Sequence, residues 1–261
     1  MVRSIFIDAQ TPESPLVKKA AEILRREIDV RCGAAICTDK PGEATVILST
    51  RTGVGEQGFN INDAPGGAVS IVGNDDRGLL YGVGKFLRAS RFDDGRFTPG
   101  VWRGTSVPIR PIRGMYFASH FHNFYHDAPI PAVQRYVEEL ALWGCNALAV
   151  WFDMHHFNGI NDPAAQAHLH RLREILRTAK GVGMETSLTT LANEGYANSP
   201  EAWRAKPTGW AHNRASDGTT DLGACWRAAN CTGNRTRALT AGGGGCTAAN
   251  CSRSSRGNPR A

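Results

Sequence analysis

The hydrophobic patterning that lets a chain fold stops at Trp203 in this sequence. From Arg204 to Ala261 there is no Ile, Val, Phe, Met, Tyr, Glu or Gln, and Leu222 and Leu239 are the only leucines. Such a stretch buries too little apolar surface to offset the entropy of ordering it, so residues 204–261 are expected to be unstructured. The same stretch carries the chain's excess positive charge. Up to Trp203 there are 21 Lys and Arg against 22 Asp and Glu, whereas after it there are 9 against 2, which accounts for the formal net charge of +6. A basic arm for an anionic partner fits poorly, because Lys206 is its single lysine and its arginines are scattered. A zinc site wants C-x2-C pairs, and Cys225, Cys231, Cys246 and Cys251 do not supply them. The mixture of Arg, Ala, Gly, Thr, Cys, Ser and Trp, with the run Gly242–Gly245, is what a GC-rich gene yields when translated out of frame. The expectation is therefore a frameshift near residues 203–210, with the sequons at Asn230 and Asn234 as accidents. The basic balance is then no sign of a nucleic-acid partner.

The rest of the chain has ordinary globular composition, and hydrophobic residues make up 41% of the whole against 21% charged. No apolar run approaches the length of a membrane span, and the acidic N-terminus lacks a secretory h-region. No membrane partner is expected, and the expected location is cytoplasmic. With Cys32, Cys37 and Cys145 as the cysteines before the tail, reduced thiols are expected and a disulfide framework has no support.

Residues 1–100 read as a small α/β domain. Ser4–Asp8 is a short strand, and Ser14 can cap a helix with Pro15 at its first position, where a missing N–H costs nothing. Leu16, Ala20, Ile23 and Leu24 share one face of that helix. Strand candidates follow at Ala34–Cys37, Thr45–Leu48, Gly58–Ile61 and Val69–Val72. Asn74 or Asp75 caps a second helix, Arg77 to about Arg88, with Leu79, Leu80, Val83, Phe86 and Leu87 as its buried stripe. Gly78, Gly82 and Gly84 lie inside this helix rather than at a strand–helix turn, so they point to close packing and not to a phosphate loop. Pro, Gly and Arg cluster before Pro111, marking 101–111 as a linker.

From residue 112 to 203 strand and helix alternate. Ile112–Ala118 is a strand, and Pro131 starts a helix with Val133, Tyr136, Val137, Leu140 and Trp143 on one face. Asn146–Asp153 is a nearly continuous apolar run, as in a parallel strand buried on both faces. Asp162-Pro163 caps the next helix, and Met184–Leu191 is a third strand. Alternation at this spacing is that of βα units opening a (β/α)8 (TIM) barrel, with a doubly wound sheet as the alternative. A whole barrel needs about 250 residues, so 112–203 holds only its first units, and the third strand is left as an aggregation-prone edge.

The segments NDDRGLLYGVGKFLR (Asn74–Arg88) and RPIRGMYF (Arg110–Phe117), in this order around a linker, resemble glycoside hydrolases of the β-N-acetylhexosaminidase (family 20) and α-glucuronidase (family 67) type. In these a hexosaminidase-like α/β domain precedes a catalytic barrel. The most specific pieces are the G-x-x-Y-G segment Gly78–Gly82 and the pair Arg113-Gly114. The resemblance implies that Arg113 binds sugar hydroxyls. It also implies a hydrolase of O-glycosidic bonds in carbohydrate breakdown that needs no cofactor. The sequence departs from the hexosaminidase pattern on the second barrel strand, where it has Ala149, Trp151 and Met154, and on the third, at Leu188-Thr189-Thr190. The family's acid/base carboxylates lie on later strands, so the catalytic residues stay unassigned and the chain as given is expected to be inactive.

Barrel sites lie at the C-terminal ends of the strands. There the sequence places His120, His122 and Asn123, then Asp153, His155 and His156, then Glu194 and Tyr196. Imidazoles and carboxylates beside flat aromatic rings suit a sugar, so His120, His122, Asp153, His155, His156 and Glu194 join Arg113 as candidate carbohydrate-binding residues. The bland alternatives are imidazoles bonded to loop backbone and Asp153 capping its loop. The pair Asp153/Glu194 could in principle flank a glycosidic bond. A metal set of His120, His122, Asp153 and His155 is a rival that no spacing fixes, so no metal is expected. His168 and His170, two apart on a helix, are expected at the surface. Besides a hydrolase fragment, the sequence leaves open a non-catalytic carbohydrate-binding fragment and a metal-dependent barrel enzyme.

Overall fold

The structure is a computed structural model, which describes residues 4–7, 13–33, 37–38, 46–93, 95–119, 122–190 and 195–200. The expected frameshift tail, His120 and Glu194 lie outside the described residues. The chain divides into two compact units: Met1–Val150 with Leu172–Ser187, and Trp151–Arg171 with the chain from Leu188 onward.

The first unit is built on a six-stranded sheet. Strands β1 (Ser4–Ile7), β2 (Cys37–Thr38), β3 (Val46–Thr50), β4 (Phe59–Ala64), β5 (Ala68–Gly73) and β8 (Gly104–Ser106) stand in the order β2-β1-β3-β5-β4-β8. Neighbours from β2 to β5 are parallel, while β4 pairs antiparallel with both β5 and β8. Helix α1 (Pro15–Cys32) starts as the sequence predicts: the Ser14 hydroxyl accepts from Val17 N–H, Pro15 fills the first turn, and Gly33 closes the helix at φ 63°. Its core face is Val17, Ala20, Ile23, Leu24 and Ile28, with Val17 in the place expected of Leu16. Helix α2 (Asp76–Ala89) is capped by Asp75, whose Oδ1 accepts from Gly78 N–H at 2.9 Å while Oδ2 accepts from Gln57 N–H at 2.7 Å. Asn74 acts on the preceding loop instead. Its Oδ1 accepts from the N–H groups of Gly53, Val54 and Gly55 at 2.9–3.1 Å and shapes the turn before β4.

Both the segment before the expected linker and the linker itself carry structure. Residues 91–98 form a hairpin of β6 (Arg91–Asp93) and β7 (Arg96–Thr98), whose Phe97 is fully buried against Phe86 and Phe92. Within 101–111 itself, β8 adds the last strand to the sheet. These strands are three residues long, too short for alternation to announce them.

The βα units then follow. Strands β9 (Gly114–Phe117), β10 (Ala147–Trp151) and β11 (Glu185–Thr189) form a second sheet in the order β11-β10-β9, with β9 and β10 parallel. Between β9 and β10 come a single turn, α3 (Phe124–Asp127), and α4 (Ile130–Leu142); α5 (Pro163–Gly181) precedes β11. Helix α4 buries Val133, Val137, Leu140 and Ala141, but Trp143 leaves the expected apolar face and is 67% exposed beyond the last turn, where Arg88 covers its ring.

Helix α4 is tied to α1 through ions as well as through packing. Glu138, 7% exposed, meets Arg26 at 2.7 Å and Lys19 at 3.3 Å, and buried Glu27 meets Arg26 and Arg135. Burial works against the Lys19 and Arg26 charges, but Glu22 and Glu138 outweigh it at Lys19, and Glu138 and Glu27 at Arg26, and hold both groups above their ordinary pKa. Glu138→Gln removes the charge that two cations share, and because those cations remain partly hydrated the expected cost is about 2 kcal/mol in urea unfolding at pH 7. An unchanged midpoint would show that solvent already screens the pair.

Candidate functional site

In the first unit the candidate residues follow β9. Ser119 is fully buried, and Asn123 turns the chain: its side-chain N–H donates to Ala118 C=O at 2.8 Å while its Oδ1 accepts from Tyr125 N–H at 3.0 Å to start α3. The Tyr125 ring stacks on Phe117 of β9 at 4.0 Å between centroids, and burial pushes its phenol above the ordinary range, with Tyr136 adding to it. His122 sits at φ 47°, in the left-handed region. Its Nδ1 lies 3.7 Å from Asp127 Oδ1, and the His122 and His126 rings are 4.5 Å apart. His126, of the same histidine-rich loop, and Asp127, which the sequence alone does not single out, are brought to His122 by the single turn of α3.

In the second unit the candidates follow β10. Phe152 donates its N–H to Thr189 C=O at 2.9 Å, continuing the ladder to β11 one residue beyond the strand. Asp153 follows, 3% exposed, and leads into a turn of 3-10 helix, Met154–His156. Its carboxylate makes no capping bond to that turn. Instead Asp153 Oδ1 lies 2.7 Å from His155 Nδ1, and the His156 ring meets the His155 ring edge-on at 4.3 Å. An ionised carboxylate only accepts, so across this pair the hydrogen sits on Nδ1 and fixes how the His155 ring is turned. Asp153, His155 and His156 are thus brought together.

Beneath this turn Phe152 and Phe157 stack with ring planes 7° apart, and His168 packs against both. His168 is 8% exposed, contrary to its expected surface position, whereas His170 is exposed as expected. The reason is helical phase: Ala165, His168, Leu172, Ile175 and Ala179 make one stripe, and His168 occupies a stripe position that its polarity disguised.

Asp162 organises the entry to α5. Backbone N–H groups of Asn158 and Ala164 each donate to its carboxylate at 2.9 Å and hold its pKa below the ordinary value. For a depressed carboxylate the stabilisation is present above the ordinary aspartate pKa and is lost as pH falls through the lowered folded value. Hydrogen exchange at Asn158 and Ala164, corrected for intrinsic rates, is accordingly expected to lose protection only below that ordinary pKa, and Asp162→Ala should remove the protection at neutral pH. Protection that persists in the variant would contradict this.

Arg113 is placed elsewhere. It precedes β9, at the strand's N-terminal end, and its guanidinium turns toward the α/β domain. Nε donates to Gly144 C=O at 2.7 Å, Nη1 to Arg110 C=O at 2.6 Å, and Nη2 to Gln57 Oε1 at 2.6 Å, with the Tyr81 ring beside it. Buried Asn146 completes the cluster: its Oδ1 accepts from Arg113 N–H at 2.9 Å and its amide donates to Pro111 C=O at 2.7 Å. Tyr81 of the G-x-x-Y-G segment and Arg113 of the R-G pair, the two motifs that carried the family resemblance, therefore meet in one hydrogen-bonded cluster. Burial raises the Tyr81 phenol, with the Arg113 charge opposing it.

No family model matches the chain, and no curated protein matches its sequence. Solved structures do. A Streptomyces plicatus β-hexosaminidase in complex with its product GlcNAc is similar at TM-score 0.57 and 15% identity, over 84% of this chain and 46% of that one. Flavobacterium johnsoniae chitobiase, of family 20, is similar at 0.53 and 17%, over 71% of this chain and 31% of that one. A family 115 4-O-methyl-α-glucuronidase is similar at 0.51 and 15%, over 82% and 32%. The chain thus spans less than half the length of these enzymes. What it shares with them is a glycoside-hydrolase-like fold: a hexosaminidase-like α/β domain followed by βα units of the kind that open their (β/α)8 barrels.

Proposed function

We propose that this chain is part of a glycoside hydrolase and that its described residues bind carbohydrate without cleaving it. The observation that carries the reading is Asp153: a buried carboxylate at the C-terminal end of a barrel-type strand, 2.7 Å from His155, with His156 alongside. Asp153 fixes the imidazole, and His155 and His156 meet sugar hydroxyls; His122, in the first unit, is proposed as a separate sugar contact. His120 and Glu194 belong to the same proposed set by sequence position. Cleavage needs a protonated general acid as well as a second carboxylate, about 5–9 Å apart. Asp153 is committed to His155 at 2.7 Å, and among the described residues no second carboxylate is assigned to that role. The substrates proposed are oligosaccharides or glycosides of hexosamines or uronic acids, with no nucleic acid, membrane or cofactor involved.

Saturation-transfer NMR of the full chain with p-nitrophenyl N-acetyl-β-glucosaminide and p-nitrophenyl α-glucuronide tests this reading. Transfer to one of the two sugars, lost in Asp153→Asn and His155→Ala, is the expected result. Transfer that both variants retain would move binding away from β10, and its absence with both sugars would contradict the reading.

A further inference from the structure

The two histidine–carboxylate groups differ in one respect that decides what each can hold. Asp153 and His155 are 2.7 Å apart, a hydrogen-bond separation that leaves no room for an ion between them. Around Asp127 the separations are longer: its Oδ1 is 3.7 Å from His122 Nδ1 and 4.0 Å from His126 Nδ1. Both exceed a hydrogen bond. The first is about 0.2–0.4 Å and the second about 0.5–0.7 Å beyond the spacing, about 3.3–3.5 Å, that ligands at about 2.0–2.1 Å adopt around one tetrahedral ion. The three ligand atoms lie within 4.8 Å of one another, so small rotations of these side chains would bring them to one point.

We propose that His122, His126 and Asp127 form a binding site for one divalent first-row transition ion, zinc being the reference case. Two imidazoles and a carboxylate are the ligand chemistry of an open site, in which water or an oxygen ligand fills the remaining position. Local structure presents them together. Asn123 starts the turn by accepting from Tyr125 N–H, Tyr125 stacks on Phe117, and that anchor fixes α3 beside β9. His122 takes a left-handed backbone, and its ring lies 4.5 Å from that of His126. The side chains of His122 and Asp127 are 72% and 57% exposed, so an ion reaches them without unfolding the loop. The site shares His122 with the proposed carbohydrate-binding set and uses no other member of it, and it replaces the expectation, drawn from sequence alone, that no metal binds.

The test is calorimetric titration of the chelator-treated full chain with zinc chloride, after iodoacetamide has blocked the thiols so that cysteines do not compete. One zinc per chain is expected, with affinity lowered at least about tenfold in His122→Ala and in Asp127→Asn, the loss usual even for outer-sphere partners of a metal. His155→Ala should bind as the parent does. A zinc-dependent rise in Tm, present in the parent and His155→Ala but absent in the other two, reads the same site without relying on heats. Side chains this exposed carry little of the fold, and circular dichroism before metal addition checks that the variants keep it. No zinc binding by the parent up to millimolar metal would overturn the proposal. So would a zinc ion that follows His155 rather than His122 and Asp127.

Discussion

Replacing Gly84 by valine is expected to destabilise the chain by at least about 3 kcal/mol, an overpacking cost at the upper end of the usual range. A Cβ at Gly84 would sit 2.0 Å from the Leu142 carbonyl oxygen and 2.7 Å from its carbon. The obstacle is backbone at the end of α4, which no rotamer change can move, so α2 and α4 must separate. That separation also breaks the bond from Arg88 Nη1 to Leu142 C=O, 2.7 Å long, by which α2 holds the same carbonyl. Gly181 is the internal control: a Cβ there meets nothing within 4 Å, and Gly181→Ala is expected to be neutral or slightly stabilising. Urea unfolding of both variants decides the matter. Equal midpoints would mean that α2 and α4 are not in this contact.

The second large effect concerns Arg113. Arg113→Ala leaves Gln57 Oε1 and the carbonyls of Gly144 and Arg110 without the guanidinium that three of its nitrogens now give them. Bonds to a charged donor contribute about 1.5–3 kcal/mol each, and the group is only part-buried, so a net loss of about 3 kcal/mol is expected. Arg113→Lys should recover little, because one ammonium cannot span the three acceptors. Family resemblance implies a different outcome: an arginine that touches sugar would leave Tm unchanged and lower ligand affinity. Measuring Tm and saturation transfer on the same variant separates the two.

The local signals in the sequence were strong, and the structure follows them. Ser14 and Asp75 cap the helices their side chains predict, and the apolar stripe of α2 is buried as Leu79, Leu80, Val83, Phe86 and Leu87. The three barrel-type strands lie within the predicted segments because apolar runs between turn residues are local information. Less legible was whatever depends on distant partners. The glycines of α2 suggested packing on the sheet, which holds for Gly82 against Ile71 and Phe59. Gly84, however, meets α4, some sixty residues away in sequence, and nothing local to it says so. Arg113 reads as a solitary arginine before a strand until Gln57 and Tyr81 are folded onto it. The grouping of His122 with His126 and Asp127 was not legible, because their spacing becomes meaningful only once α3 is seen as a single turn.

The central claim is that this chain carries carbohydrate-binding parts of a glycoside hydrolase without its chemistry. Release of p-nitrophenol from the two aryl glycosides, followed with the full chain at ligand concentrations where saturation transfer is seen, tests it most directly. Binding with release no faster than in buffer is the predicted result. Release above that background, abolished by Asp153→Asn, would contradict it and make Asp153 part of a working catalytic pair.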